Sequence, residues 1–358
     1  MVARMREPVP PPGERPRYMG ISKKIAVFLT ALASTMMLAA CGGGADDSDG
    51  MTKIRFALDW TPNTNHTGLY VAMNKGYFKE AGLDVEVVPY NDSNPILLTD
   101  SGNAEFAVDT QDRMTMAKAA GADVRSVLAI QQSWTTEVSV LADRDDIKTP
   151  ADLDGKTFGG FGSPADHAIL KGVIRGAGGK GEFEEVTLGT SAYEALYNKD
   201  VDFTVPYVAW EGIEAADRGV ELKNFAYTDY GFPDSYQMLV VGGNKWMEEH
   251  PEETKKFVQA IQHGFQDAVD NPDEAAEILQ QENPEILTDL EFLKKSQRML
   301  SEKFMLDDEG KFGRQTEKQW ADLGQFLFDN ELLVDGANNP LSEAPDWSTY
   351  FTNEYISE

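Results

Sequence analysis

The first residues that could do chemistry lie in the stretch LDWTPNTNHTG, residues 58–68. This stretch brings Asp59, Trp60, Asn65 and His66 close together in the chain. An indole can stack on a flat ring, while a carboxylate, an amide and an imidazole can bind the nitrogen atoms at the ring's edge. The combination favours a binding site for a small heteroaromatic ligand. The alternative is structural, with Trp60 in the core and Asn65 capping the next helix.

Later stretches add candidates that share one feature, an aromatic or polar side chain near the end of a predicted strand or at a predicted hinge. They are Tyr90, Ser163, Tyr207, Trp210, Glu211 and Tyr236. Open α/β sheets bind their ligands at the carboxyl ends of the strands, so we expect these residues to meet there.

Three of these candidates have a second interpretation. Ser163 opens a helix whose N-terminal amides could hold an anion or a polar tail, or it only shapes a tight turn. Glu211 could accept a hydrogen bond from an amine, or it is a solvated acid at the start of a helix. Tyr236 either closes over a ligand or packs in the hinge.

Other kinds of chemistry have little support. The histidines are His66, His167, His250 and His263, and none lies three or four residues from another, as metal-binding motifs require. The glycine-rich stretch before Ser163 is not a nucleophile elbow, a Walker loop or a dinucleotide fingerprint. The sequence therefore predicts no metal site, no cofactor and no enzyme activity.

The N-terminal residues are typical of a secretion signal. Lys23 and Lys24 precede an apolar run at 25–40, which is shorter than the about 20 residues of a comfortable membrane span. The run ends in LAAC, whose Cys41 is the single cysteine of the chain. LAAC resembles a bacterial lipobox, which implies cleavage before Cys41 and a lipid on its sulfur. The alternative is an ordinary secretory signal with an incidental cysteine.

We therefore predict a signal peptide at 1–40, with a mis-set start codon upstream of Met19, and a flexible acidic tether at 41–52. A lipid on Cys41 would hold the protein at the outer face of the cell membrane. The chain has 60 acidic and 32 basic residues and a formal net charge of −28. Such a surface repels nucleic acids and anionic lipid head groups, which excludes both as partners.

With 358 residues the chain is long enough for two domains. Strand-like and helix-like runs alternate from residue 53, and a polar stretch after residue 143 opens a second such unit. This order predicts an α/β fold with a largely parallel sheet and helices on both faces. We expect two α/β lobes joined by two hinge crossings near 143 and 236. Lobe 1 would comprise 53–143 plus 237–358, and lobe 2 would comprise 144–236.

Local patterns add three predictions that the structure can test. They are a helix over 69–82, a strand over 201–207, and a helix over 254–269 with Phe257, Ile261, Phe265 and Val269 on a core-facing stripe.

Four stretches carry a family resemblance. Residues 58–88, GSPAD at 162–166, AWEGIEA at 209–215 and YGFPDSYQMLVV at 230–241 resemble, in the same order, ThiY-type solute-binding proteins. The resemblance implies a type II periplasmic-binding fold and a pyrimidine ligand such as formylaminopyrimidine or hydroxymethylpyrimidine. It also implies delivery of this ligand to an ABC permease and its ATPase. We expect the protein to be a monomer. Binding proteins for riboflavin or a sulfonate are the alternatives, although an arginine-poor cleft argues against a sulfonate.

The same superfamily includes a fungal enzyme that makes the pyrimidine from pyridoxal phosphate and one of its own histidines. This sequence departs from that enzyme's pattern. Asp109 stands where the resemblance would place the cofactor lysine, and Arg113 stands where it would place the donated histidine. Schiff-base chemistry needs an amine, so we expect a carrier and not an enzyme. Asp109 becomes a candidate hydrogen-bond acceptor in the cleft.

Overall fold

A computed structural model describes residues 50–91 and 93–357. The predicted signal peptide at 1–40, the lipidation site Cys41 and most of the predicted tether lie outside these residues. The first strand begins at Thr52, one residue before the predicted start of lobe 1.

The strands of the described residues are β1 Thr52–Ala57, β2 Leu83–Val88, β3 Phe106–Thr110, β4 Val124–Ala129, β5 Glu137–Leu141, β6 Thr157–Gly160, β7 Glu184–Thr187, β8 Leu222–Ala226 and β9 Met238–Gly243. The α-helices are α1 Thr67–Asn74, α2 Tyr77–Glu80, α3 Pro95–Asp100, α4 Gln111–Ala119, α5 Pro164–Gly176, α6 Ser191–Tyr197, α7 Glu211–Asp217, α8 Asn244–Glu249, α9 Pro251–Asp270, α10 Pro272–Glu282, α11 Leu290–Lys303 and α12 Glu317–Asp329.

The larger sheet has the strand order β2-β1-β3-β9-β4. Strands β1, β2 and β3 are parallel, whereas β9 is antiparallel to both of its neighbours, β3 and β4. The expectation of a largely parallel sheet therefore holds for strand direction except at β9. The chain leaves this sheet at the end of β4 and comes back to it at the start of β9. Because β9 lies beside β4 and runs antiparallel to it, the chain leaves and re-enters at the same edge of the sheet.

The segment of chain between β4 and β9 is called the second half of the molecule below. It contains two strand pairs, β5 with β8 (antiparallel) and β6 with β7 (parallel). The predicted strand over 201–207 is not a regular strand. Phe203 forms an isolated bridge to β6, and Thr204 forms one to β5. Pro206 has no amide hydrogen to donate to a ladder, which is consistent with this interrupted pairing.

Strand pairing also locates the two crossings. Because β4 belongs to the larger sheet and β5 pairs with β8, the first crossing lies between Ala129 and Glu137 and not near 143. The second crossing lies between β8 and β9, close to the expected position. Helix α12, expected in lobe 1, contributes Leu323 and Leu327 to the core of the second half. The remaining lobe boundaries stay a prediction.

The core beside the larger sheet is aromatic. The ring centroids of Phe106 and Phe257 are 4.1 Å apart, and the two ring planes are nearly parallel. The predicted stripe on the long C-terminal helix is confirmed, since Phe257, Ile261 and Phe265 of α9 are buried and Val269 is partly buried. Burial of this stripe fixes α9 against the sheet.

Two glycines allow α1 and α9 to touch backbone to backbone. A Cβ atom on Gly264 would lie 2.1 Å from the carbonyl oxygen of Gly68, and one on Gly68 would lie 2.1 Å from the ring of Phe265. Helix α1 is thereby held against the core, together with the loop that precedes it. The predicted helix over 69–82 is interrupted at Gly76, which has a φ of +81° and separates α1 from α2.

Candidate functional site

The loop between β1 and α1 is shaped by its own side chains. The Asn63 side chain accepts a hydrogen bond from the backbone N–H of Asn65 at 2.8 Å, and His66 Nδ1 accepts one from the Asn63 N–H at 3.3 Å. These reciprocal bonds form a capping box around the turn Thr64–His66. The cap of this turn is therefore Asn63 and not Asn65, which leaves the Asn65 side chain free for other contacts.

His66 supports Asp59. Since Nδ1 of His66 accepts a hydrogen bond, Nε2 carries the ring proton and donates to Asp59 Oδ1 at 2.8 Å. The imidazole is 1% exposed, whereas the Asp59 side chain is 11% exposed. His66 is thus placed behind the predicted site, where it fixes the orientation of Asp59. His66 is not among the residues that line the cavity, and its contact with a ligand stays a prediction.

Trp60 lies at the edge of a cavity and is 40% exposed. Its ring centroid is 4.9 Å from that of Tyr90 on one side and 6.5 Å from that of Phe161, which comes from the second half of the molecule. The alternative in which Trp60 packs in the core is excluded. Tyr90 does not line the cavity, but it packs against the indole.

The cavity measures about 230 Å³ and receives side chains from both halves of the molecule. The predicted site residues that line it are Asp59, Trp60, Asn65, Tyr207, Trp210 and Glu211. The side-chain oxygen of Asn65 accepts a hydrogen bond from Gln131 Nε2 at 2.7 Å, which ties this wall to the first crossing.

The larger sheet supplies the floor of the cavity through Thr110, Asp112 and Arg113 at the end of β3 and the start of α4. The predicted Asp109 is fully buried below this floor and does not line it. Its Oδ1 accepts a hydrogen bond from the Thr110 N–H at 2.8 Å and lies 3.6 Å from Arg113 Nη1. Burial raises the pKa of Asp109 to about 7, despite the opposing charge of Arg113.

The second half of the molecule contributes Glu211 at the start of α7. Its Oε2 accepts a hydrogen bond from the Tyr207 N–H at 3.0 Å, and burial raises its pKa to about 7. Glu211 is therefore not the solvated acid of the alternative interpretation. Trp210 packs edge-on against Phe292, with ring centroids 4.8 Å apart, and so holds a fixed position in the wall.

Ser163 and Tyr236 do not line the cavity. Ser163 is the N-cap of α5, and its Oγ accepts a hydrogen bond from the Asp166 N–H at 3.3 Å. Tyr236 is fully buried, and its hydroxyl accepts a hydrogen bond from the Thr316 N–H at 2.7 Å. Both side chains are held by hydrogen bonds within the protein in this geometry, and their contact with a ligand stays a prediction.

Three further residues that were not predicted from the sequence also line the cavity, namely Asp112, Trp134 and Asp166. Burial raises the pKa of Asp166 to about 7, and the negative charge of Asp112 raises it further. The position of the two aspartates in the sequence could have indicated them. Asp112 follows β3 and Asp166 follows β6, each in the first turn of the next helix. Trp134 carries no comparable signal, since it lies on the crossing after β4.

Several buried polar atoms of the wall have no hydrogen-bond partner within residues 50–91 and 93–357. They are Thr110 Oγ1, Asp112 Oδ1 and Trp134 Nε1. A buried polar atom without a hydrogen bond costs free energy on the order of 1–3 kcal/mol. A ligand that bonded to these atoms would recover that cost. The arrangement suits a flat molecule with polar groups on its edge.

Comparison with known proteins gives the family. The NMT1/THI5-like family model matches residues 63–275. The chain belongs to the NMT1/THI5-like family. A formylaminopyrimidine-binding protein of Halalkalibacterium halodurans is 33% identical over 314 residues, which cover 86% of this chain and 94% of that relative. The predicted resemblance to ThiY-type proteins is confirmed at this level.

Another relative of this chain is named as a synthase. The 4-amino-5-hydroxymethyl-2-methylpyrimidine phosphate synthase THI11 of Saccharomyces cerevisiae is 26% identical over 322 residues, covering 85% of this chain and 88% of that relative. Relatives of the chain thus include a binding protein and an enzyme. The choice between the two activities rests on the side chains of the site.

Solved structures give the fold. The periplasmic aliphatic sulphonate binding protein SsuA from Escherichia coli has a TM-score of 0.63 at 15% identity, and the match covers 86% of this chain and 94% of that chain. The predicted class, a type II periplasmic-binding fold with two α/β lobes, is confirmed. Within residues 50–91 and 93–357, no helix is long and apolar enough to span a membrane. The same residues contain no group of three or more His, Cys, Asp or Glu side chains that could hold a metal ion.

Proposed function

We propose that this protein is the solute-binding subunit of an ABC importer and that its ligand is a pyrimidine precursor of thiamine, either formylaminopyrimidine or hydroxymethylpyrimidine. One observation carries the proposal. The exposed indole of Trp60 shares a small cavity with carboxylates from both lobes, including Asp59 and Glu211. The name of the relative from Halalkalibacterium halodurans supports the same ligand class.

The ring of the ligand would stack on Trp60. Tyr90 packs on the indole, so its plane is held in place before a ligand arrives. Burial of an aromatic face adds about 0.5–1.5 kcal/mol to the free energy gained by removing area from water. The cavity of about 230 Å³ is below the roughly 300–1,000 Å³ of sites for drug-sized molecules, which favours a single ring over the tricyclic ring of riboflavin.

The edge of the ring would determine selectivity. The amino group of an aminopyrimidine offers N–H donors to Asp59 and Glu211. The ring nitrogen atoms, and the oxygen atom of the formyl or hydroxymethyl group, can accept hydrogen bonds from Arg113 and the Trp134 N–H. Carboxylates that surround the cavity repel a sulfonate group. Arg113 offers little compensation for a sulfonate, because Asp109 lies 3.6 Å from its guanidinium.

Transport requires that the ligand change the conformation of the protein. A ligand that touches walls from both lobes favours the closed state over the open one, and a permease can recognise the closed state. We further propose that a lipid on Cys41 holds the monomeric protein at the outer face of the cell membrane, close to the permease and its ATPase.

Catalysis with pyridoxal phosphate has no support in the side chains of the site. No lysine or histidine is among the described residues that line the cavity, and Asp109 and Arg113 stand where the resemblance would place the reactive pair. Incubation with pyridoxal phosphate should give no imine absorbance. A stable imine band would favour the enzyme.

Calorimetric titration of the chain without residues 1–40 tests the proposed ligand. The panel contains formylaminopyrimidine, hydroxymethylpyrimidine, thiamine, riboflavin and an alkanesulfonate. We expect the two pyrimidines to bind most tightly and the sulfonate to give no heat of binding. Tighter binding of riboflavin or of the sulfonate would contradict the proposal.

A further inference from the structure

Two helices begin at the cavity from opposite lobes, and each carries an aspartate in its first turn. Asp112 is in the first turn of α4, which follows β3 of the larger sheet. Asp166 is in the first turn of α5, which follows β6 in the second lobe. Both side chains line the same cavity.

The N-terminus of a helix ordinarily attracts anionic ligands. At this site the chain places its own carboxylates in that position on both sides. Both carboxylates line one cavity of about 230 Å³, and the charge of Asp112 contributes to the raised pKa of Asp166. The first turns of α4 and α5 therefore cannot hold an anionic ligand without bringing three negative charges together.

One member of the pair has an acceptor atom that no described residue satisfies. Asp112 is 5% exposed, and its Oδ1 has no hydrogen-bond partner among the described residues. Thr110, two residues earlier in the chain, is 3% exposed, and its Oγ1 likewise finds no partner in the described part of the chain. Arg113 is the basic residue among the described lining residues, and it lies 3.6 Å from Asp109. Buried acceptors of this kind need donors, and an ionised acceptor needs a cation.

We propose that Asp112 and Asp166 form an acceptor pair that selects planar ligands with a cationic, amidine-like N–H edge, and that this edge draws the two lobes together. An amidinium carries two N–H groups side by side and one delocalised positive charge. A 4-aminopyrimidine protonated on the neighbouring ring nitrogen presents the same edge. The inference rests on the proposed function only in that the cavity holds a small solute.

Two flat probes of similar shape test the inference without assuming the natural ligand. Benzamidine is a cation at neutral pH, and benzamide is neutral. We expect the mature protein to bind benzamidine at least about ten-fold more tightly than benzamide, since charge-assisted hydrogen bonds are the stronger kind. Equal affinities of the two probes would overturn the inference.

The variants Asp112→Asn and Asp166→Asn keep the shape of each side chain and remove its charge. Each should lower the affinity for benzamidine about ten-fold and leave that for benzamide nearly unchanged. Glu317→Gln is the matched control, because Glu317 is also in the first turn of a helix, α12, and is exposed outside the cavity. It should leave both affinities unchanged.

A second measurement separates this role from a structural one. Removing one of two like charges should raise the thermal midpoint of the empty Asn variants while their benzamidine affinity falls. A structural role would lower the midpoint as well. Asn variants that keep the preference for benzamidine would also overturn the inference.

The outcomes for the inference and for the proposed function are distinguishable. If benzamidine is preferred through these two aspartates and neither pyrimidine binds, the proposed ligand is wrong and the inference stands. If a pyrimidine binds equally to the wild type and to both Asn variants, the inference is wrong and the proposed function stands.

Discussion

Two walls of the cavity supply carboxylates but differ in how the protein supports them. The supported wall is the loop after β1, where His66 donates to Asp59 at 2.8 Å and Gln131 donates to Asn65 at 2.7 Å. The second wall, called the unsupported wall, consists of Asp112 and Asp166 in the first turns of α4 and α5. In the part of the chain that the structure describes, Asp112 Oδ1 is buried and has no hydrogen-bond partner.

This difference separates two tasks of a binding site. A side chain that is already hydrogen-bonded loses little conformational freedom when a ligand arrives, so it provides shape at low entropic cost. A buried acceptor without a partner favours any ligand that brings a donor and disfavours one that does not. The supported wall therefore positions the ring, and the unsupported wall selects its charge.

The largest effect should come from breaking the contact that holds the supported wall. Gly264→Ala would place a Cβ atom 2.1 Å from the Gly68 carbonyl oxygen, so α1 and α9 must move apart. We expect the free energy of unfolding to fall by about 3 kcal/mol, as for other overpacked cores. Chemical denaturation measures the change.

Gly212→Ala provides the control for this prediction. Gly212 is also in a helix, α7, but a Cβ atom there would lie 3.8 Å from the nearest atom, the Tyr207 carbonyl oxygen. Replacing a helical glycine in open space should be neutral or stabilise by about 0.5–1 kcal/mol. If Gly264→Ala were as stable as Gly212→Ala, the close helix crossing would not be what fixes this wall.

The next largest effect concerns the ring face. Trp60→Ala removes the exposed indole from the supported wall and should weaken binding of the best pyrimidine in the panel by about 100-fold. Trp60→Phe keeps a flat face and should lose much less. Calorimetric titration measures both variants. Unchanged affinity in Trp60→Ala would remove this side chain from the site.

The supported wall could be largely predicted from the sequence because its contacts are local. Asp59, Trp60 and Asn65 lie within one loop, and the cavity does include them. The sequence could not decide which asparagine caps the turn, because Asn63 and Asn65 are both suitable cap residues. His66 was assigned to the ligand because burial is not visible in a short polar stretch.

The unsupported wall could not be predicted in the same way, because it exists only after distant segments fold together. Asp112 and Asp166 each resemble an ordinary acid near the start of a helix, and only the packing of two lobes makes them neighbours. Tyr236 shows the converse case. Its place at the second crossing was correct, but its hydroxyl bonds to the Thr316 N–H in the interior.

The fold followed the same rule. Strand order along the chain predicted the α/β class, and the stripe on α9 predicted its buried face. The antiparallel direction of β9 and the pairing of β5 with β8 depend on where the chain leaves and re-enters each sheet. Local hydrophobic patterns do not encode those points.

A smaller effect should follow when the support of Asp59 is removed. His66→Leu keeps a buried side chain but loses the N–H that donates to Asp59, so the carboxylate can turn away from the ligand. We expect affinity for the best pyrimidine to fall about ten-fold. A cycle with Asp59→Asn tests the mechanism, since the double variant should be no weaker than Asp59→Asn alone. Additive losses would show that His66 acts independently of Asp59.

The smallest effect should be the pH dependence of the empty protein beneath the unsupported wall. Burial raises the pKa of Asp109 from its ordinary 3.8 to about 7, so the folded state holds this proton more tightly than the unfolded state. The stability from that proton is complete at low pH and is lost as the pH rises from about 4 through about 7.

Asp109→Asn should reduce this loss, measured by chemical denaturation at pH 6 and pH 7, by about 1 kcal/mol. The charged groups that act on Asp109 are Arg113, Asp59 and Asp112, and the variant leaves them in place. The same pH dependence in the variant and the wild type would show that Asp109 does not change its protonation in this range.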